Sequence, residues 1–298
     1  MIIWEVIVPT FLIVFLGYAA GRAASFDLRS LSNLTLYVLT PSLVFHRLYV
    51  SRLDAGMIGR IAAYSGAIVA AMYLVSAAVS GWFKLREQDA VAFRLASALF
   101  NVGNMGLQVV VFAFGEQGLT YAAVMVVCHV LLTNTVGVFV AARASLDRRQ
   151  ALRQVFALPA VYAIALGFLL GHARVPLPPT LLRPVELLGN AAIPVNTALL
   201  GLQLSRSRAA ENVRLAAVVA GLRLLLAPAL GAILLRLMGF SGLPLRVLLL
   251  QTAMPSAVYS SILSQRYEAN AALASAAVLV STLLSALSLS ALLLLLAG

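Results

Sequence analysis

Charge and sulfur are what this sequence has least of. A single cysteine, Cys128, stands in 298 residues, which excludes an intramolecular disulfide framework and any multi-cysteine zinc cluster. Three histidines and ten acidic residues are scattered without metal-ligand spacing, so no metal and no cofactor is expected. Charged residues make up 10% of the chain, against about 25% in a soluble domain. A chain so poor in charge cannot cover its own surface with polar groups. With 62% hydrophobic residues, lipid must be the solvent for most of it. The net charge of +11 would point to nucleic acid in a soluble protein. Here the basic residues stand between apolar runs, the pattern of a positive-inside bias, and no nucleic-acid partner is expected. The amino-terminal run carries Glu5 and Pro9 and continues apolar to Gly21. That reads as a retained first membrane helix rather than a signal peptide.

Ten apolar stretches follow one another, at about 3–22, 31–50, 57–82, 90–114, 117–143, 153–171, 181–204, 211–238, 243–265 and 270–297. Most have the roughly 20 residues a spanning helix needs. The connections are short, so consecutive helices should be antiparallel neighbours. Lysine and arginine divide unequally between alternate ends, 13 against 7 with Arg223 left inside a span. The richer side includes the basic segment from Arg143 to Arg153 and should be cytoplasmic. Both termini would then be extracytoplasmic.

The sequence also repeats itself. Pro9, Gly17 and Gly21 recur as Pro159, Gly167 and Gly171, Pro41 as Pro194, the interruption near Asn101 as that near Pro255, and Glu116 as Glu268. The offsets run from about 150 to 154. Residues 1–149 and 150–298 are therefore read as two five-helix repeats. An odd number of spans per repeat inverts the second copy in the membrane, the architecture of many secondary transporters.

Two interruptions carry the chemistry. The fourth stretch reads Phe100-Asn101-Val102-Gly103-Asn104-Met105-Gly106-Leu107-Gln108, and the ninth reads Gln251-Thr252-Ala253-Met254-Pro255-Ser256. Glycine weakens a helix by about 1 kcal/mol relative to alanine, and Pro255 removes a donor and clashes with the preceding turn. Broken helices at matching places of two inverted repeats point to a site at the membrane midplane. Each break exposes a half-helix N-terminus with partial positive charge and free N–H groups. No carboxylate stands close to either break, so the site favours an anion. Asn101, Asn104, Gly106, Gln251, Pro255 and Ser256 are its expected substrate-binding residues. The competing reading is two kinks in which asparagine and glutamine bridge helices.

Arg223, inside the eighth span, and His129, midway along the fifth, are the candidates for charge balance or coupling. Arg223 could instead bond a backbone carbonyl or snorkel to the interface. His129 could carry a coupling proton or stand as a neutral, hydrogen-bonded core histidine. Glu116 and Glu268 are expected to complement helix N-termini, and Glu186 to pair with Arg183 at i,i+3.

At these residues the chain resembles the auxin efflux carrier family, in its compact bacterial form and over the whole length. The resemblance is carried by Asn101-x-Gly103-Asn104-x-Gly106 with Phe114-Gly115-Glu116, by Ala192-Ile193-Pro194 with Leu200-Gly201, and by Ala253-Met254-Pro255-Ser256 with Tyr267 beyond. It implies ten spans in two inverted repeats of five, with the fourth and ninth helices crossing at their breaks. It implies a dimerising scaffold of helices 1, 2, 6 and 7 and an elevator-like transport unit of helices 3–5 and 8–10. Asn101 matches the substrate-contacting asparagine and Pro255 the ninth-helix crossover proline. Phe100 and Gln108 stand where the family commonly has prolines, so glycines must supply the first irregularity. The implied partners are a small organic anion, the lipid bilayer and a second copy of the chain, in a bacterial inner membrane.

The expected function is alternating-access transport of a small organic anion, such as an auxin-type or dicarboxylate acid. The rivals are an intramembrane hydrolase, for which only Ser256 and His129 could pair as nucleophile and base, and a channel.

Overall fold

The computed structural model describes residues 3–51, 53–141, 157–206 and 213–297. The basic segment from Arg143 to Arg153, Arg52 and Arg208 lie outside the described residues. The ten apolar stretches form helices where described, with breaks at 99–101 in the fourth and 253–258 in the ninth. The helices are α1 (Ile3–Ala23), α2 (28–50), α3 (Ala55–Trp82), α4 (Glu87–Ala98), α5 (Val102–Ala141), α6 (Pro159–His172), α7 (Pro179–Leu204), α8 (Val213–Leu237), α9 (Gly242–Thr252), α10 (Tyr259–Arg266) and α11 (Ala271–Ala297). No strand occurs among the described residues. Six helices, α1, α3, α5, α7, α8 and α11, are long and apolar enough to cross a membrane, and α6 is apolar but shorter. The chain is thus an all-helical, polytopic membrane protein.

Proline shapes the helices without ending them. Short π-helical turns at Ile3–Ile7, Thr35–Leu39 and Leu222–Leu226 are centred four residues before Pro9, Pro41 and Pro228. Proline offers no N–H to the carbonyl four residues back, and its ring crowds that carbonyl. Widening the turn by one residue relieves both problems. The third of these turns carries Arg223.

Gly115 divides α5 into two arms, 102–114 and 116–141. Its φ of +61° is left-handed, a conformation cheap only for glycine. Glu116 opens the second arm, the helix start where the sequence places it, and also forms an ion pair with Arg47 of α2. Glu268 does not open α11. It sits in the preceding turn with φ +56°, and Asn270 caps the helix, accepting from the Leu273 N–H at 2.9 Å. Glu186 acts electrostatically on His46 and Arg47.

The helices pack in reciprocal pairs. α1 lies along α7 and α2 along α6. The glycines of the sequence repeat stand at these contacts. A β-carbon on Gly17 would strike the Ala198 carbonyl, and one on Gly167 would lie 2.7 Å from the Phe45 carbonyl. Close backbone approach of this kind is how membrane helices gain packing energy without a hydrophobic drive. On the other side α3 packs on α4 and α5, while α8 packs on α9 and α11. The first turn of α5 rests against α7, joining the two groups.

Candidate functional site

The two interruptions meet. α4 ends at Ala98 and α5 restarts at Val102, while α9 ends at Thr252 and α10 begins at Tyr259. Between them Phe100 and Ser256 form an antiparallel bridge. The Asn101 N–H donates to the Pro255 carbonyl at 2.9 Å, and the Ala257 N–H donates to the Leu99 carbonyl at 2.9 Å. Unpaired backbone groups at this depth would each cost several kcal/mol, on the order of 2–7 kcal/mol, so a break survives only where its amides find partners. The remaining amides are taken by side chains. The Phe100 N–H donates to His129 Nε2 at 3.1 Å, and the Ser256 N–H to Ser281 Oγ at 3.0 Å. His129 and Ser281 hold equivalent places on the long helices that follow each break.

The first break therefore works differently from the sequence expectation. The irregular backbone lies at residues 99–101, before the glycines, and Gly103 and Gly106 fall within a π-helical turn, Val102–Gly106. Gly106 is needed for space, since a β-carbon there would meet the Gln251 amide and lie 3.2 Å from Met254 Cγ.

Asn101 caps α5 by accepting the Asn104 N–H on Oδ1 at 3.3 Å. That bond fixes which end of the amide is oxygen. Its Nδ2 is left buried with no partner among the described residues, and the residue is only 4% exposed. Gln251 is fully buried, and neither its Oε1 nor its Nε2 finds a partner among the described residues. The Ser256 hydroxyl is buried and orphaned as well. Buried polar atoms are nearly always paired, so the crossing concentrates hydrogen-bonding capacity that no described residue uses. Asn104 is half-buried and reaches α7, donating from Nδ2 to Gln203 Oε1 at 3.4 Å.

Both second-tier residues lie at the same place. Arg223 is fully buried, so it does not snorkel. Its Nη2 donates to the carbonyls of Thr252 at 2.6 Å and Met254 at 2.9 Å, and its Nη1 to that of Ser97 at 3.5 Å. Its guanidinium carbon lies 4.4 Å from the centre of the Phe100 ring, which in turn lies 4.4 Å from the His129 ring. His129 accepts on Nε2, which identifies the neutral tautomer protonated on Nδ1. Ser256 and His129 are not joined, because the Nε2 that would act as base is held by the Phe100 amide.

Sequence reasoning thus assembled Asn101, Asn104, Gly106, Gln251, Pro255, Ser256, His129 and Arg223, and the fold brings all eight to the crossing. It missed Phe100, Ser281 and Tyr64, whose hydroxyl lies 2.6 Å from Thr252 Oγ1. Phe100 had one visible signal, a large aromatic ring at the edge of a glycine-rich interruption. No group of three potential metal ligands occurs among the described residues. A separate cavity of about 230 Å³, lined in part by Glu5, Phe112 and Arg246, does not include the crossing residues.

The family model described as a membrane transport protein matches residues 2–293. An uncharacterized transporter of Methanothermobacter thermautotrophicus is 26% identical over 298 residues, covering 96% of this chain and 95% of its own length. An uncharacterized transporter of Methanocaldococcus jannaschii is 26% identical over 308 residues, covering 96% of each chain. With its length matched almost end to end and its motifs in place, the chain belongs to the membrane transport protein family, the family of the auxin efflux carriers that it resembles.

Proposed function

We propose that this chain is a secondary transporter that carries a small organic anion, of auxin type or a dicarboxylate, through the crossing by alternating access. The observation that carries the reading is the set of orphaned groups there: Asn101 Nδ2, both polar atoms of the Gln251 amide, and Ser256 Oγ. The free atom of Asn101 is a donor, because its oxygen is already engaged. Donors at two half-helix N-termini, with no acid beside them, suit a carboxylate. Pro255 supplies the carbonyl that holds Asn101 in place, and Gly106 the room for Gln251.

The wider architecture is part of the same proposal. The reciprocal pairing of α1 with α7 and α2 with α6 supports a ten-span, twice-five inverted repeat divided near residue 150. In it α1, α2, α6 and α7 form a dimerising scaffold and the other helices an elevator-like unit. Asn104 touches α7 at Gln203, close to that helix's end at Leu204. Glu116, at the far end of the first α5 arm, pairs with Arg47, which bonds Asn190 of α7 at 3.1 Å. About eleven residues of α7, some 16 Å at 1.5 Å each, then extend beyond the pairing level. The unit sits toward the Gln203 end of its scaffold, which the charge bias assigns to the cytoplasm, with both termini outside. That corresponds to an inward position.

The test is counterflow of labelled indole-3-acetate and malate in liposomes, for the wild type and Asn101→Ala. Saturable exchange that collapses in the variant supports a carrier with its site at the crossing. Exchange untouched by Asn101→Ala moves the site elsewhere. Unitary currents in place of saturable exchange make the protein a channel.

A further inference from the structure

Four half-helix ends converge on the crossing, and they are not electrostatically alike. α4 and α9 arrive with their carbonyl ends, α5 and α10 leave with their N–H ends. Each end carries a partial charge of roughly one half. The two carbonyl ends would together place about one negative charge where an organic anion is to bind. Arg223 lies against both of them. It donates to Thr252, the last residue of α9, to Met254 just beyond, and to Ser97, the penultimate residue of α4. It has no carboxylate partner among the described residues. A buried guanidinium without a counter-ion is costly. Here the two carbonyl ends stand in for the missing acid, while the Phe100 ring covers the guanidinium from one side.

We propose that Arg223 is the positioning residue that sets the charge of the crossing: it cancels the carbonyl ends of α4 and α9, so that the N–H ends of α5 and α10 act on the ligand unopposed. The site is then balanced by one negative charge, and Arg223 acts on the ligand through the half-helices rather than by contact. Neither the free donor of Asn101 nor the Gln251 amide could produce this selectivity alone, since both groups also accept neutral partners. The π-helical turn before Pro228 places the arginine here, projecting it into the space between the two breaks.

This inference rests on the anion-carrier reading, and the experiment separates the two. Binding of indole-3-acetate and of its neutral isostere indole-3-acetamide is measured by titration calorimetry on purified protein, for the wild type, Arg223→Gln and Arg223→Lys. The wild type is expected to prefer the acid by at least about tenfold, the size two partly buried helix termini can supply. Arg223→Gln keeps amide affinity but loses most of that preference, and Arg223→Lys restores it. A purely structural arginine would lower both affinities together. If the wild type shows no preference for the acid, the anion-carrier reading fails and takes this one with it. If the wild type prefers the acid and a folded Arg223→Gln does so equally, this proposal alone fails. Should Arg223→Gln not fold, Arg223→Lys decides, because loss of the acid preference in a folded lysine variant overturns the role of charge.

Discussion

Asn101 and Pro255 hold the two interrupted helices together, the amide of one donating to the carbonyl of the other at 2.9 Å. Neither residue could break its own helix so deep in the chain without the other. Pro255 has no N–H to continue its helix, and its own carbonyl is the partner that Asn101 requires. The same contact turns the Asn101 side chain so that its oxygen caps α5 and its nitrogen is left over. That one amide is divided: its oxygen serves the fold, and its nitrogen has no partner among the described residues.

Gln251 is where stability and transport are expected to separate. Its amide is buried without partners, and an unsatisfied group of this kind costs about 1–3 kcal/mol. Gln251→Met fills a similar volume without polar atoms. We expect a higher midpoint of thermal unfolding in detergent and a loss of counterflow. A lower midpoint would mean that the amide has a partner in the resting protein.

Gly106 faces that amide so closely that no β-carbon fits. Gly106→Ala should lower the unfolding midpoint, by an overpacking cost of about 1–3 kcal/mol, and stop transport. Adding Gln251→Ala should recover much of the stability and none of the transport. Additive losses in the double variant would show that the two positions are not coupled.

His129 pins the first break by accepting the Phe100 amide. His129→Leu leaves that N–H buried and alone, at a cost of about 1–3 kcal/mol. His129→Gln offers a replacement acceptor and should retain most of the stability. Counterflow at equal pH on both sides should follow the same order. If His129→Gln is stable yet loses only the response to an imposed pH gradient, His129 carries a coupling proton in addition to its pinning role.

Arg47 and Glu116 join the two helix groups. Arg47 is 8% exposed and Glu116 67%, so the pair adds little stability, about 0–1 kcal/mol for an exposed ion pair. Its value as a test is geometric. Cysteines at both positions in a Cys128→Ala background should cross-link with a bifunctional methanethiosulfonate reagent long enough to replace the arginine and glutamate side chains. If the groups slide past one another during transport, cross-linking stops counterflow and reduction restores it. Undiminished counterflow in the cross-linked protein would rule out that movement.

Much of the site could be read before the fold was known, because its residue types are costly in a membrane. Asparagine, glutamine, arginine and proline inside apolar runs demand an explanation, and Asn101, Gln251, Pro255 and Arg223 announced themselves for that reason. The roles were less legible. Arg223 could have faced ligand, lipid interface or backbone, and only its contacts with the ends of α4 and α9 decide. Phe100 and Ser281 gave almost no signal, since a phenylalanine and a serine are ordinary occupants of membrane helices. Glu268 misled, because a carboxylate beside a helix start is a sound local expectation that Asn270 overrides.

The membrane solvent, the helical character of the apolar stretches and the approximate places where the fourth and ninth are interrupted follow from the sequence alone. They depend on composition and on local backbone chemistry, which each segment carries by itself. That the breaks bond to each other, that His129 and Ser281 cap them, and that Arg223 covers their carbonyl ends was decided by tertiary structure. Those contacts join residues up to 158 positions apart, as Leu99 and Ala257 are, and no local preference encodes which buried donor will meet which acceptor.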